Sequence, residues 1–273
     1  MTINAELINS IREKFVKEYE SNCSLYYESD YQKIKTELWP IERYVLVHKT
    51  EDASLEALIK AMKWRKEFGV LDRTDADFPQ EAYQTLEVFE YGKDKEGRDL
   101  LMGIGKYHHK SDFSPILKQY WVHMLEKIDS KNKNGGWAVV VWTAGTGLSN
   151  MELNHALFVV DVLQNYFPLG MAYELVVDMH WILNATWKII RNFMREEVRE
   201  KVKLVDIKTV REYVNDDQIP EAFGGTSKEP MLKIPPKVKP LDQIKDKFGF
   251  NDKQVEKIRS SLKDALKDNP VCQ

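Results

Sequence analysis

The side chains that could do chemistry in this chain are few and scattered. Among 273 residues there are six His and two Cys. Cys23 and Cys272 lie near opposite ends with no paired spacing, which excludes a disulfide framework and a Cys-rich metal site. His108 and His109 are adjacent and would point in different directions on a strand. His123, His155 and His180 lack metal-site spacing, so structural or surface roles are expected for these histidines, and no metal. Gly145 and Gly147 in TAGTGLSN lie between a predicted strand and a predicted helix, as in a dinucleotide loop. Asn150 replaces the third glycine of that pattern, so a tight strand-to-helix turn is the better account. No G-x-S-x-G elbow is present, and Asp178 and His180, on one strand face, have no nucleophile beside them. The expectation is a non-enzymatic protein with no cofactor.

One segment stands apart. Projected as a helix at about 100° per residue, 181–203 (WILNATWKIIRNFMREEVREKVK) places Arg191, Arg195 and Arg199 within about 60° of Lys188. Ile182, Leu183, Trp187, Ile189, Ile190, Phe193, Met194 and Val198 occupy the broad opposite arc. Two readings follow. It is a surface helix packed on a sheet with its cations in water, or a lid whose apolar face closes a hydrophobic cavity and whose basic edge meets anionic headgroups.

The elements around this segment divide by period. Apolar residues at three- and four-residue spacing predict helices over 5–20, 39–48 and 54–68, the last stopping at Gly69. Short apolar or alternating segments at 86–91, 99–107, 137–143, 173–179 and 202–206 predict strands, with a hairpin turn at Asp94-Lys95-Glu96-Gly97. Helices are expected at 115–130, 151–167 and 181–200. The alternation predicts an α/β fold: an N-terminal helical bundle followed by a mostly parallel sheet covered by helices. Four prolines in 228–240 predict a stiff linker, and a short amphipathic helix follows at about 252–267.

Composition sets the outer bounds. Hydrophobic residues make up 43% and charged residues 30%, the balance of a folded chain. Seven Trp, 12 Tyr and 11 Phe exceed what a minimal core needs, which leaves room for a cavity or exposed apolar surface. The longest apolar run, Trp137 to Trp142, is too short to span a bilayer, and the start MTINAELINSIREKF has no apolar signal region. Net charge is −3, divided unevenly: residues 1–180 are acidic, while 181–203 and 228–273 are basic. An acidic front half argues against nucleic acid as partner, and the late basic segments suit an anionic membrane surface. A cytoplasmic protein, peripheral at membranes, is expected.

Five stretches carry a resemblance. AMKWRKEFGV (61–70), NYFPLG (165–170), ELVVDM (174–179), WILNATWKIIRNFM (181–194) and NDDQIPEAFGGTS (215–227) resemble the CRAL-TRIO lipid-binding family in order and spacing, from about residue 38 to 227. The resemblance implies an N-terminal helical domain over 1–77, a lipid-binding domain over 78–227 and a Pro-rich linker with a basic helix over 228–273. It further implies an internal lipid cavity gated by 181–200. Phosphatidylinositol-binding members place a Glu after the Pro of Y-[FY]-P and a Lys 32 residues later. Here those positions hold Leu169 and Lys201. Phosphatidylcholine-binding members use strand hydroxyls where this chain has Val139 and Val141. Both headgroup sites are incomplete.

On that resemblance the expected cavity wall is Val139, Val141, Leu175 and Val177 from strands, Phe158 and Val162 from the helix between them, and Leu183, Trp187, Ile190 and Met194 from the gate. Lys201, Tyr173 and His180 are the candidate polar contacts, and Lys188, Arg191, Arg195 and Arg199 the membrane contacts. The bound species is cargo: a phospholipid, sterol, fatty acid, or tocopherol- or retinoid-class lipid. Transfer between membranes is the expected activity, with a non-transferring sensor or membrane-tethering adaptor as the alternative.

Overall fold

The computed structural model describes residues 5–133 and 136–271; Cys272 lies outside them. Four helices open the chain: α1 (Ala5–Asn22), α2 (Glu28–Thr36), α3 (Trp39–His48) and α4 (Glu51–Phe68). They close on Ile11, Phe15, Ile34, Ile41 and Leu58, all at most 1% exposed. Pro40 sits in the first turn of α3, where its missing N–H costs nothing. Gly69, at φ 73°, ends α4 where the stop is expected.

After α5 (Gln80–Gln84), β1 (Phe89–Lys93) and β2 (Asp99–Ile104) form the expected hairpin. Its turn is held by the Asp94 carboxylate, which accepts the Glu96 and Arg98 N–H groups at 2.9 and 2.8 Å. Gly97 takes the left-handed position at φ 82°. The chain continues through α6 (Ser114–Lys131), β3 (Trp137–Trp142), α7 (Leu153–Asn165), β4 (Met171–Val177), α8 (Asn184–Phe193), α9 (Glu196–Arg199), β5 (Val202–Val205) and α10 (Ile207–Tyr213). The five strands lie in the order β1-β2-β3-β4-β5, antiparallel at the hairpin and parallel thereafter. Helices α6 and α7 pack on one face with Leu101, Trp137 and Val139. On the other face Val210 and Val214, in and just after α10, pack with Val140, Leu175 and Val177. A short apolar strand buried on both faces, as β3 is, is what a parallel sheet covered by helices produces.

Two buried ionic clusters join the bundle to α6. Arg43 donates to both Asp129 oxygens at 2.9 and 2.7 Å. Arg65 bridges Asp30 at 2.7 Å and Glu126 at 2.8 Å.

Two expectations need correction. The helix read as continuous over 181–200 is broken: α8 ends at Phe193, Met194 and Arg195 are extended (ψ 134° and 157°), and α9 begins at Glu196. The projection of 181–203 on one helical wheel therefore fails past Phe193. The tail, expected as a stiff linker and a single helix, also differs. After α11 (Leu241–Ile244), α12 (Asp252–Ser261) and α13 (Lys263–Asp268) form in place of one helix. Leu241, Ile258 and Leu262 are buried against the domain, and Gln84 and Asn269 exchange side-chain-to-carbonyl hydrogen bonds at 2.9 Å.

Candidate functional site

Between the sheet and α7, under α8, lies a cavity of about 200 Å³. Its wall is mostly apolar: Val141 and Val176 from the sheet, Val160 and Leu163 from α7, and the inner side of the gate. The 181–194 segment contributes Leu183, Trp187, Ile190 and Met194, the set that the resemblance implies.

The strand side departs from expectation. Tyr173, Leu175 and Val177 do not line this cavity; they belong to the cluster on the opposite face of the sheet, and the Tyr173 hydroxyl donates to Asp94 at 3.1 Å. The reason is register. In the parallel β3–β4 ladder Val139 pairs with Glu174 and Val141 with Val176, so odd positions of β3 share a face with even positions of β4. Glu174 and Val176 take the places assigned to their neighbours. Val139 is on the correct face but lies in solid core at 4% exposure. Val162 is fully buried in that core, and Phe158 stacks near Phe68 at 5.8 Å between ring centroids instead of lining the wall. Lys201 also lies outside the cavity, in a small crevice with Leu169, where its Nζ donates to the Met171 carbonyl at 2.7 Å. Burial pushes the Lys201 ammonium down, only partly opposed by Glu197. His180 is exposed, its Nδ1 accepting the Ile182 N–H at 3.3 Å.

The expected basic stripe is cut in half by the break after Phe193. Lys188 and Arg191 are exposed on α8. Arg195 is folded back: its guanidinium donates to the Gln164 carbonyl and to Asn165 at 3.3 Å, and pairs with Glu197 at 2.7 Å. Arg199 donates to the Met194 carbonyl at 3.0 Å. Arg195 ties the hinge to the end of α7 and Arg199 closes back on the hinge itself, so both are engaged within the fold. The apolar arc is correspondingly wider than the cavity. Ile182, Ile189 and Phe193 stand exposed on the outer side of the gate, the last two at 50% and 44%, beside Trp181 at 71%.

The cavity's polar end was not anticipated. Glu87, His108 and His155 come from a loop before β1, the stretch after β2 and α7, and all three are buried. The Glu87 carboxylate accepts from His108 Nδ1 at 3.0 Å and from Trp121 Nε1 at 2.7 Å, and lies 2.6 Å from His155 Nε2. Burial pushes this carboxyl up, but the charges of His155 and His108 and the His108 hydrogen bond outweigh it and hold Glu87 well below the usual range. Burial lowers His108, yet Glu87 and then Glu152 more than compensate and raise it. Glu152 accepts from Ser114 Oγ at 2.7 Å. Spacings of 21 and 47 residues carry no local signature, so no sequence pattern points to this cluster.

Glu174 is different. Among the described residues nothing hydrogen-bonds or pairs with its carboxyl, and burial alone pushes its pKa up to about 7. A Glu inside the apolar strand ELVV was the available signal for it.

A five-stranded sheet entered by a helical bundle, a cavity beneath a hinged helix and the I-P-x-x-F-G-G turn now have a counterpart. The family model of the CRAL/TRIO domain matches residues 83–225, more than half of the chain. The chain belongs to the CRAL/TRIO family. A CRAL-TRIO domain-containing protein of Schizosaccharomyces pombe (C3H8.02) is 26% identical over 188 residues, 64% of this chain and 42% of that protein. Patellin-3 of Arabidopsis thaliana is 24% identical over 202 residues, 65% and 40% of the two chains. The Sec14 cytosolic factor of S. pombe is 21% identical over 200 residues, 65% and 70%. The chain thus spans less than half the length of the first two. The crystal structure of Sfh5 superposes with a TM-score of 0.64 at 16% identity, covering 91% of this chain and 99% of that one. CRAL/TRIO proteins are as a family lipid-binding and lipid-transfer proteins. No helix among the described residues is long and apolar enough to cross a membrane.

Proposed function

We propose that this CRAL/TRIO chain carries a hydrophobic lipid in the cavity beneath α8 and exchanges it at membrane surfaces. The observation that carries the reading is the two-sided gate. One side of the 181–194 segment lines the cavity with Leu183, Trp187, Ile190 and Met194, while its outer side exposes Ile182, Ile189 and Phe193 beside Lys188 and Arg191. An outer surface of that composition gains free energy in an anionic interface, where its apolar residues leave water and its cations meet headgroups. The hinge at Met194–Arg195 lets docking there be coupled to opening.

The energetic problem in lipid transfer is exposure of the chain. Each CH₂ brought into water costs about 0.8 kcal/mol, so an 18-carbon chain faces roughly 14 kcal/mol. No single polar contact offsets that, whereas an apolar cavity opened only at the membrane does.

The cavity also argues for a class of cargo. Among the described residues no Lys or Arg lines it, while Glu87, Glu152 and Glu174 do. A phosphate held inside would meet Glu152 and Glu174 and no Lys or Arg, because the two histidines of the wall are already engaged with Glu87 and Lys201 is outside, donating to Met171. The reading favours a lipid whose enclosed end is apolar or bears a hydroxyl, such as a sterol or a tocopherol- or retinoid-class lipid. The test is native mass spectrometry of the purified chain, followed by transfer of the identified lipid from donor to acceptor vesicles. Absence of any co-purified lipid, and no uptake from vesicles, would sink the reading. Binding without transfer would leave the sensing alternative.

A further inference from the structure

We infer that Glu87, His108 and His155 form a binding site for a divalent transition-metal ion of the Zn²⁺ class at the polar end of the cavity. One ligand atom from each of these buried side chains lies within 4.8 Å of the others. Two imidazoles and a carboxylate are a sufficient protein ligand set for such an ion, leaving a further position open. All three side chains line the cavity, so that position faces it.

A second observation points to a ligand independently of the clustering. His155 is 6% exposed; its Nδ1 has no hydrogen-bond partner among the described residues, and its Nε2 approaches Glu87 Oε1 at 2.6 Å without hydrogen-bond alignment. Buried polar nitrogens without aligned partners are costly, and close N···O approach without alignment is the arrangement a shared ion would relieve.

The surrounding groups are suited to a metal. With His108 Nδ1 and His155 Nε2 as donors, His108 Nε2–H faces Glu152, whose carboxylate is itself fixed by Ser114. That is the carboxylate–histidine–metal arrangement which sets tautomer and ring orientation. Trp121 Nε1 orients Glu87. Binding would displace the proton of His108 Nδ1 to solvent. The ion's two positive charges balance the carboxylates of Glu87 and Glu152.

The experiment uses the full chain, treated with chelator and then titrated with ZnCl₂ alone by calorimetry, with CoCl₂ as a spectroscopic substitute. The expected result is one saturable site per chain and a rise in Tm with metal. Intense visible Co²⁺ bands, typical of four- or five-coordination rather than of the hydrated ion, are also expected. His155→Asn should abolish the site, Glu152→Gln should weaken it tenfold to a hundredfold, and His180→Ala should leave it intact. No saturable binding, or affinity unchanged in His155→Asn, overturns the inference. Should His155→Asn not fold, an unaltered affinity in Glu152→Gln together with a hydrated-type Co²⁺ spectrum in the unmodified chain does the same. No lipid enters the titration, so failure here leaves the lipid reading standing.

Discussion

Glu174 pairs with Val139 across the parallel β3–β4 ladder, and that register turns a carboxyl into a largely apolar cavity where no described residue pairs with it. Its pKa, near 4.5 in an unfolded chain, is pushed to about 7 by burial. The folded state therefore binds more protons than the unfolded state between these values. The stability linked to Glu174 is fully present below about pH 4.5, and falls as pH rises through about 7. At about 1.4 kcal/mol per pH unit the change is on the order of 3 kcal/mol. Glu174→Gln should flatten the decline of stability between pH 4.5 and 8, and raise stability at pH 8. Denaturant titrations at a series of pH values check this; parallel curves for the two proteins would refute it.

The outer side of α8 makes a separate prediction. Ile189 and Phe193 are half exposed and Lys188 and Arg191 face solvent, so changing them should spare the fold. Ile189→Ser with Phe193→Ser should weaken binding to anionic vesicles at least tenfold, since each apolar side chain is worth about 1.5–3 kcal/mol when fully buried. Lys188→Ala with Arg191→Ala should cost about 2 kcal/mol of vesicle affinity, an effect that shrinks in high salt. Vesicle co-sedimentation with thermal denaturation as control measures both. Arg195→Ala and Arg199→Ala should have smaller effects on the salt dependence, because those side chains are already paired within the hinge.

On the inner side, Trp187→Asp should slow lipid transfer between vesicles by an order of magnitude or more while the chain remains folded. Trp187 is partly exposed and lines the cavity, so a carboxylate there meets the lipid more than the core. A fluorescence transfer assay reads it. Transfer at the unaltered rate would remove the gate assignment.

The interface between bundle and domain depends on Asp129, which accepts two hydrogen bonds from Arg43 and one from Trp137 Nε1 at 3.0 Å. Arg43→Ala strands a buried carboxylate and should cost about 3–5 kcal/mol, whereas replacing both partners by apolar residues of similar size should recover much of it. Chemical denaturation of the single and double variants distinguishes these outcomes.

The double glycine of the I-P-x-x-F-G-G turn has a steric basis. Gly224 is left-handed at φ 79°, and a Cβ on Gly225 would strike the Ile219 carbonyl oxygen. Gly225→Ala should therefore destabilise by a few kcal/mol, within the range for backbone strain and overpacking. A Tm equal to that of the unaltered chain would contradict the steric account.

What was legible in the sequence was whatever depends on local period. The strands at Trp137–Trp142 and Val202–Val205, the stop at Gly69 and the 94–97 hairpin turn follow from residues within a turn or two of one another. Side-chain spacing along one element is a property of that element alone. Three matters were decided only in three dimensions. The β3–β4 register, which exchanges Leu175 for Glu174 and Val176 on the wall, depends on how two distant strands slide together. The break at Met194–Arg195 replaces one basic stripe by two free cations and two tied ones, because Arg195 finds Gln164 and Asn165 at the end of α7. Finally, Glu87, His108 and His155 meet because the sheet and two crossovers bring them there. Chemistry assembled from separate elements has no period to read, and only packing brings it together.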